Sequence, residues 1–266
     1  MTLSSLTRLL ADNGISEPDL EARLLFCHFF DISPAALLAE RGKEYDSNAL
    51  QSAITRRLAR EPLAYILGEV GFYEESYLVS PACLIPRSDT ELLVEHAIHR
   101  LPKGILFADF CTGSGCIAIS VLAHRPDLTA LAVDLSEDAL ALAAQNAARI
   151  GVADRISFVK ANLLDSSPLP TPIDYILSNP PYIASDVIPH LAKEVHFEPH
   201  MALDGGADGL IFYRAMLSRF DPRLFLFEIG YDQAEALKAL ARDYRYKVSV
   251  EKDLGGRDRL AVLERE

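Results

Sequence analysis

The stretch Ile105-Leu106-Phe107-Ala108-Asp109-Phe110-Cys111-Thr112-Gly113-Ser114-Gly115 reads as an apolar strand that ends near an acid, then turns through glycines into an apolar helix over 115–124. Open α/β sheets bind ligands at the carboxyl ends of their strands. Glycines there let backbone approach a ligand, and the free N–H groups of the next helix face an anion. Gly113-Ser-Gly115-Cys-Ile-Ala118 fits the loose dinucleotide pattern, and the absence of a following Lys-Ser or Lys-Thr speaks against a phosphate-binding P-loop. At this point a purely structural turn is still a competing reading.

The next strand, expected over 130–134, ends on Asp134, whose two carboxylate oxygens suit the two hydroxyls of a ribose. The competing role is a cap for the helix starting near Ser136. Two acids, Asp109 and Asp134, fit a cationic ligand better than a pyrophosphate, which favours a sulfonium cofactor over a nicotinamide one. A later strand, Tyr175–Ser178, runs into Asn179-Pro180-Pro181-Tyr182. Two prolines fix the backbone and remove two donors, leaving carbonyl acceptors beside the Asn179 side-chain oxygen and a ring at Tyr182. Such a cluster can hold a planar NH₂ group, two acceptors for its two hydrogens and a ring for its face.

Outward from these motifs the chain alternates strand and helix. Strands are expected over 105–109, 130–134, 157–161, 175–178 and 225–228, with helices over 90–101, 115–124, 138–150, 207–220 and 232–243. Apolar strands alternating with helices imply a parallel sheet covered on both faces. The tail differs: Lys247–Lys252 and Arg259–Leu263 are separated only by a Gly-Gly turn, so one edge strand should run antiparallel. Residues 68–87 read as a β-hairpin, and the first ~70 residues as helices only. Ser16 is an expected cap, with Leu20, Leu24 and Phe26/Cys27 as the apolar face behind it. Ser33-Pro34 and Ser47 start further helices, with Gly42 as a stop and Leu50, Ala53, Ile54 and Leu58 at helical spacing. Arg56, Arg57 and Arg60 crowd the end of the last of these and read as a solvated face that suits the helix dipole.

Composition bounds the function. The 266 residues are 50% hydrophobic and 24% charged, which is ordinary for a globular chain and allows a sizeable core. The longest uncharged run, Phe110 to His124, holds 15 residues and two glycines, too short and too interrupted to span a bilayer. Acidic residues come early and no continuous apolar core precedes them, so no signal peptide is expected. The net charge is −12, from 26 basic against 38 acidic residues, the opposite of a protein that grips phosphates. Cys27, Cys83, Cys111 and Cys116 form no CxxC pair and no zinc-ligand spacing, so we expect reduced thiols in a cytoplasmic protein and no metal.

With these residues in place the chain resembles the amino-group methyltransferases with a class I core, through Asn179-Pro-Pro-Tyr182. Three further stretches, Glu61-Pro-Leu-Ala-Tyr-Ile-Leu-Gly68, Ile85-Pro-Arg-Ser-Asp-Thr-Glu91 and Asp253-Leu-Gly-Gly-Arg-Asp-Arg259, with Asp109-Phe-Cys-Thr-Gly-Ser-Gly115, resemble the release-factor glutamine methyltransferases, the PrmC/HemK family. The likeness covers nearly the whole chain. Cys111 stands where the family commonly has glycine, and Ser88-Asp89 where it commonly has Pro-Glu.

The resemblance implies a Rossmann-like class I methyltransferase sheet, mostly parallel with one antiparallel edge strand, and a small N-terminal helical domain joined by a β-hairpin. We accordingly divide the chain into a substrate-docking domain (1–71), a hairpin linker (72–86) and a methyltransferase domain (87–266). It implies methyl transfer from S-adenosylmethionine to the side-chain amide nitrogen of the glutamine in the Gly-Gly-Gln tip of peptide chain release factors. It further implies that Asp109, Cys111, Thr112, Gly113, Ser114 and Gly115 hold the methionine end of the cofactor, Asp134 the ribose and Leu163 the adenine side. Asn179, Pro180, Pro181 and Tyr182 take the glutamine, with Asn179 also facing the cofactor and Asn179, Pro180 and Tyr182 serving the reaction. The partner expected is release factor protein, with no direct nucleic acid contact and no membrane, and a monomer is the default. The rival readings are a ribosomal-protein glutamine methyltransferase, a nucleic-acid amino methyltransferase, which the charge disfavours, and a nicotinamide oxidoreductase, which leaves the Asn179 cluster without a task.

Overall fold

The architecture is described from a computed structural model that covers residues 1–266 except 40, 41, 167, 170 and 171. By its internal contacts the chain divides into two units, Met1–Gly68 with Lys193–Phe197, and Glu69–Ala192 with Glu198–Glu266.

The first unit consists of helices α1 (Leu3–Asp12), α2 (Pro18–Phe30), α3 (Pro34–Ala39), α4 (Asn48–Leu58) and α5 (Leu63–Leu67). Ser33 and Ser47 begin α3 and α4 as expected, their hydroxyls accepting from Ala36 and Leu50 N–H. In α2 the expectation needs correction. Glu17, not Ser16, is the cap residue, because Pro18 occupies the first helical position, where its fixed φ favours the start and its missing N–H costs nothing. The buried stripe is Ala22, Leu25 and Phe26, while Leu20 and Leu24 are about 40% exposed. Those three residues share one apolar cluster with Leu6 and Leu10 of α1 and Leu50 and Ile54 of α4. Of the three arginines only Arg56 is exposed as expected, paired with Glu61 at the surface. Arg57 is buried, its guanidinium bonded twice to Glu21 (2.6 and 3.1 Å) and once to Glu194 (3.3 Å). Arg60 closes the end of α1 through the carbonyls of Asn13 and Gly14.

The second unit opens with a hairpin, β1 (Glu69–Phe72) and β2 (Glu75–Leu78). It then alternates α6 (Glu91–Arg100), β3 (Leu106–Phe110), α7 (Cys116–His124), β4 (Thr129–Asp134), α8 (Glu137–Ile150), β5 (Ile156–Lys160), β6 (Tyr175–Ser178), α9 (Ile211–Arg219), β7 (Leu224–Glu228), α10 (Ala234–Arg242), β8 (Tyr246–Lys252) and β9 (Asp258–Arg265). The seven-stranded sheet has the order β5-β4-β3-β6-β7-β9-β8. It is mostly parallel, and the antiparallel strand β9 pairs with β7 on one side and with β8 at the margin on the other. Period-two alternation sends successive side chains to opposite faces. Phe107, Leu177, Leu226 and Val262 pack under α6, α7 and α8, whereas Ala108, Phe110, Ile176, Phe225 and Leu263 pack under α9 and α10.

The strand order reverses between β3 and β6: β4 and β5 lie beyond β3, β7 and β9 beyond β6. A crevice opens at such a switch point, outside the carboxyl ends of the strands. Both sequence motifs, the glycine turn after β3 and the Asn179 turn after β6, lie there. The helix expected to begin at 207 begins at Ile211 instead, because the Asp208 carboxylate takes the Leu210 N–H (3.2 Å) and Gly209 has φ +72°. Among the described residues no helix is long and apolar enough to cross a membrane.

Candidate active site

A cavity of about 450 Å³ lies in the second unit, within the range of small-molecule sites. Of the residues singled out in the sequence, Cys111, Thr112, Gly113, Ser114, Asp134, Leu163, Asn179 and Pro181 line it. Asp109, Gly115, Pro180 and Tyr182 are not among the lining residues, and Asp109, Gly115 and Tyr182 have supporting contacts behind it.

Asp109 is fully buried beneath the loop. Its Oδ2 accepts from Thr112 Oγ1 (2.6 Å) and from Ala118 N–H (3.2 Å), tying the turn to the first turn of α7. Its Oδ1 is the one buried side-chain polar atom without a partner among the described residues. Burial pushes its carboxyl up to about 7. Gly115 has φ +81°, and a Cβ there would meet Ile119 Cδ1 at 2.7 Å and Ala143 Cβ at 3.1 Å, so the close approach of α7 and α8 requires glycine. Cys111 adopts the left-handed region at φ +59°, the conformation glycine would take at no cost.

Asp134 ends β4 with both oxygens aimed by backbone: Oδ2 accepts from Gly113 N–H and Oδ1 from Ser136 N–H, each at 2.9 Å. Each oxygen keeps a lone pair for a further donor. The helix-cap reading of Asp134 is settled locally, since Ser136 itself caps α8 by accepting from Ala139 N–H. Asp134 shares the cavity lining with Leu135, Ala161, Leu163 and Leu164, an apolar set that suits a flat ring. Cys83, Cys111 and Cys116 also line the cavity, and burial holds their thiols protonated, Cys83 up to about 11. They are small apolar wall groups, not nucleophiles. An acid at a strand end in a partly apolar lining, with a second acid under the loop, is a donor set that fits a cationic adenosyl cofactor.

Asn179 follows β6. Its Nδ2 donates to Thr90 Oγ1 (3.2 Å), and Thr90 Oγ1 donates to Glu228 Oε2 (2.6 Å). Tyr182 turns its hydroxyl onto the other oxygen, Glu228 Oε1 (3.2 Å), and its ring packs with the cluster under α9 and α10. Glu228 is buried, and desolvation raises its carboxyl to about 7 against the opposing pull of Thr90, Arg259 and Tyr182. Gly205 and Gly209 lie directly against the turn, a Cβ on Gly205 coming within 2.8 Å of Pro181 O and one on Gly209 within 2.2 Å of Tyr182 O. Gln233 Nε2 clamps the Tyr182 carbonyl (2.9 Å). Glu198, also buried, accepts from Ile85 N–H (2.9 Å) and pairs with Arg87, joining two walls of the cavity. Thr90, Glu198, Gly209, Glu228 and Gln233 were not identified from the sequence. One signal was available: β7 ends on an acid at the same sheet edge as β4.

Comparison with known proteins follows this geometry. The PrmC N-terminal domain family matches residues 2–68, and the methyltransferase small domain family matches residues 88–206. The release factor glutamine methyltransferase of Cereibacter sphaeroides is 41% identical over 261 residues, 94% of this chain and 92% of that protein. The enzyme of the same name from Moorella thermoacetica is 39% identical over 277 residues, 99% and 97% of the two chains. Among solved structures, the hMettl16 catalytic domain in complex with MAT2A 3′UTR hairpin 6 superposes with a TM-score of 0.58 at 17% identity, covering 82% of each chain, a likeness of fold.

Proposed function

This chain belongs to the release factor glutamine methyltransferase family, and on that premise we propose that it methylates the side-chain amide nitrogen of the glutamine in the Gly-Gly-Gln tip of peptide chain release factors. The family's chemistry requires a methyl donor of the S-adenosylmethionine type. S-adenosylmethionine, when bound, supplies an electrophilic methyl group on a cationic sulfur. In this reading Asp134 takes the ribose hydroxyls with the lone pairs its backbone bonds leave free, and Leu163 lines the adenine side. The turn Cys111–Ser114 receives the methionine end, with Asp109 and Gly115 holding that turn in shape from behind.

An amide nitrogen is a poor nucleophile because its lone pair is delocalised into the carbonyl, as in the peptide bond. The protein must hold the NH₂ group so that this lone pair can turn towards the methyl. Asn179 Oδ1 and the Pro180 carbonyl each accept one N–H of the glutamine. Pro181 walls the entrance, and Tyr182 braces the far end of the turn. The positive charge that develops on nitrogen then meets preorganised acceptors, the inverse of an oxyanion hole. The remaining acceleration comes from holding two reactants at near-attack distance. No base acts before transfer, since the N–H becomes acidic only as the new bond forms.

The observation that carries this reading is the Asn179 amide: its NH₂ end is committed to Thr90, which leaves the oxygen as the end available to a ligand. A glutamine tip alone offers few contacts for choosing one protein, so the helical N-terminal region is assigned the docking of the release factor. A net charge of −12 supports a protein acceptor rather than nucleic acid. Incubation with S-adenosylmethionine and, in parallel, a release factor, a ribosomal protein and DNA tests the proposal. One added methyl group on the Gly-Gly-Gln glutamine, located by mass spectrometry, is the expected result. Label on the ribosomal protein or DNA alone would overturn it.

A further inference from the structure

We infer that Glu228, acting through Thr90, decides which way round the Asn179 amide stands. The inference rests on the reading above, in which Asn179 Oδ1 accepts a substrate N–H. A carboxamide is nearly symmetric in shape, so sterics alone do not choose between its oxygen and its NH₂ end. The choice falls to the hydrogen-bond partner. Thr90 Oγ1 has one proton and two lone pairs, and an ionised carboxylate only accepts. Glu228 Oε2, at 2.6 Å, therefore claims the Thr90 proton. With that proton committed, Thr90 presents a lone pair to Asn179, and only the NH₂ end can answer it, as the 3.2 Å contact from Nδ2 records.

Without the carboxylate, the Thr90 hydroxyl is free to rotate and donate to Asn179. The amide would then accept with Oδ1 and turn its NH₂ group to the cavity, where a donor would meet the donors of the incoming glutamine. Glu228 thus supplies polarity to a three-member chain whose far end is the substrate site. The same side chain also holds the other end of the tetrapeptide through Tyr182, and Tyr213 fixes the Glu228 carbonyl at 2.7 Å. The buried Arg259, paired with Asp89 (3.2 Å) and Asp253 (3.4 Å), opposes the burial that raises the Glu228 carboxyl to about 7, so the acceptor-only form prevails above that pH. This gives the Asp253–Arg259 stretch a task that its sequence alone did not reveal. Glu228 touches neither substrate nor cofactor in this account and is a positioning residue.

The test uses the full-length protein with a release factor as acceptor. Glu228→Gln keeps the shape but replaces the acceptor-only carboxylate with an amide that can also donate to Thr90, Thr90→Val removes the relay, and Thr90→Ser keeps it. We expect kcat to fall about 10- to 100-fold in the first two, by analogy with outer-shell partners of reactive sites. The KM for the release factor and the affinity for S-adenosylhomocysteine should stay unchanged, and Thr90→Ser should retain kcat. A merely structural role would lower the melting temperature in step with activity and would not be rescued by serine. If Glu228→Gln fails to fold, Thr90→Val against Thr90→Ser decides alone. Wild-type kcat in Thr90→Val, or a loss confined to KM or cofactor affinity, overturns the inference. Asn179→Ala run alongside separates the two claims: its loss of turnover with Thr90→Val intact sinks only the relay, whereas full turnover in Asn179→Ala sinks the reading beneath it.

Discussion

Gly209→Ala is the perturbation that most sharply tests whether the Asn179–Tyr182 turn is held by a tight backbone cradle. Gly209 has φ +72°, and its missing Cβ would stand 2.2 Å from Tyr182 O and 2.4 Å from Gln233 Nε2. A left-handed alanine costs about 1–2 kcal/mol. Forcing a methyl group into filled space costs about 1–3 kcal/mol more. Displacing the Gln233 bond to the Tyr182 carbonyl adds roughly 1 kcal/mol. The sum, about 3–6 kcal/mol, corresponds to roughly 6–24 °C of melting temperature for a domain of this size. Gly104→Ala is the matched control, because Gly104 shares φ +70° but has nothing within 4 Å of the added atom. It should cost the backbone term alone, about 1–2 kcal/mol. Calorimetric melting of both variants, with turnover measured where both are folded, gives the comparison. Equal melting temperatures and wild-type turnover in Gly209→Ala would show that the turn has room to spare and refute the cradle.

Three other expectations concern different links. Asp109 and Glu228 both have carboxyls raised to about 7 by burial, well above the unfolded value of about 4, so between those limits the native state binds more protons than the unfolded one. Stability therefore falls as pH rises from about 4 to 7, by an amount on the order of a few kcal/mol per group. Glu228→Gln, which cannot ionise, should show a shallower decline in urea unfolding at pH 5.5 and 7.5, and an identical slope would count against the buried charge. The opposite shifts of His96 and His124 are common to both proteins and cancel in that comparison. Cys111→Gly should shift stability by no more than about 1 kcal/mol, since relief of about 1–2 kcal/mol of left-handed strain is offset by added unfolded-state freedom of about 0.4–1 kcal/mol and by the lost packing of the thiol, and a larger loss in calorimetric melting would count against the strain. Arg57→Ala strips a buried guanidinium from Glu21 and Glu194 and should destabilise the first unit by about 3 kcal/mol; a change within the error of chemical unfolding would return Arg57 to the solvated role its sequence suggested.

What the sequence made legible was what is decided locally. Tyr175–Ser178 is bounded by its own residues, an apolar run stopped by Asn-Pro-Pro, and the strand has those limits. The turn after β3 is set by Gly113 and Gly115, each at positive φ. The α2 face misled because Leu20 and Leu24 satisfy a helical period as well as Ala22 and Phe26 do, and only the neighbouring helices choose between them. The Arg57 ion pair closes 36 residues of chain, and Thr90 meets Glu228 across 138, so neither has a local signature. The Tyr182 hydroxyl likewise meets Glu228 across 46 residues, a contact with no local signature.

The central claim, that Asn179 draws the glutamine amide into a reactive pose, is tested most directly by single-turnover methylation of a release factor by Asn179→Ala. Cofactor affinity should be unchanged by calorimetry with S-adenosylhomocysteine, while the rate falls about 100-fold or more, near the ~3 kcal/mol that a single preorganised polar contact supplies. A rate equal to wild type at saturating acceptor would contradict the account.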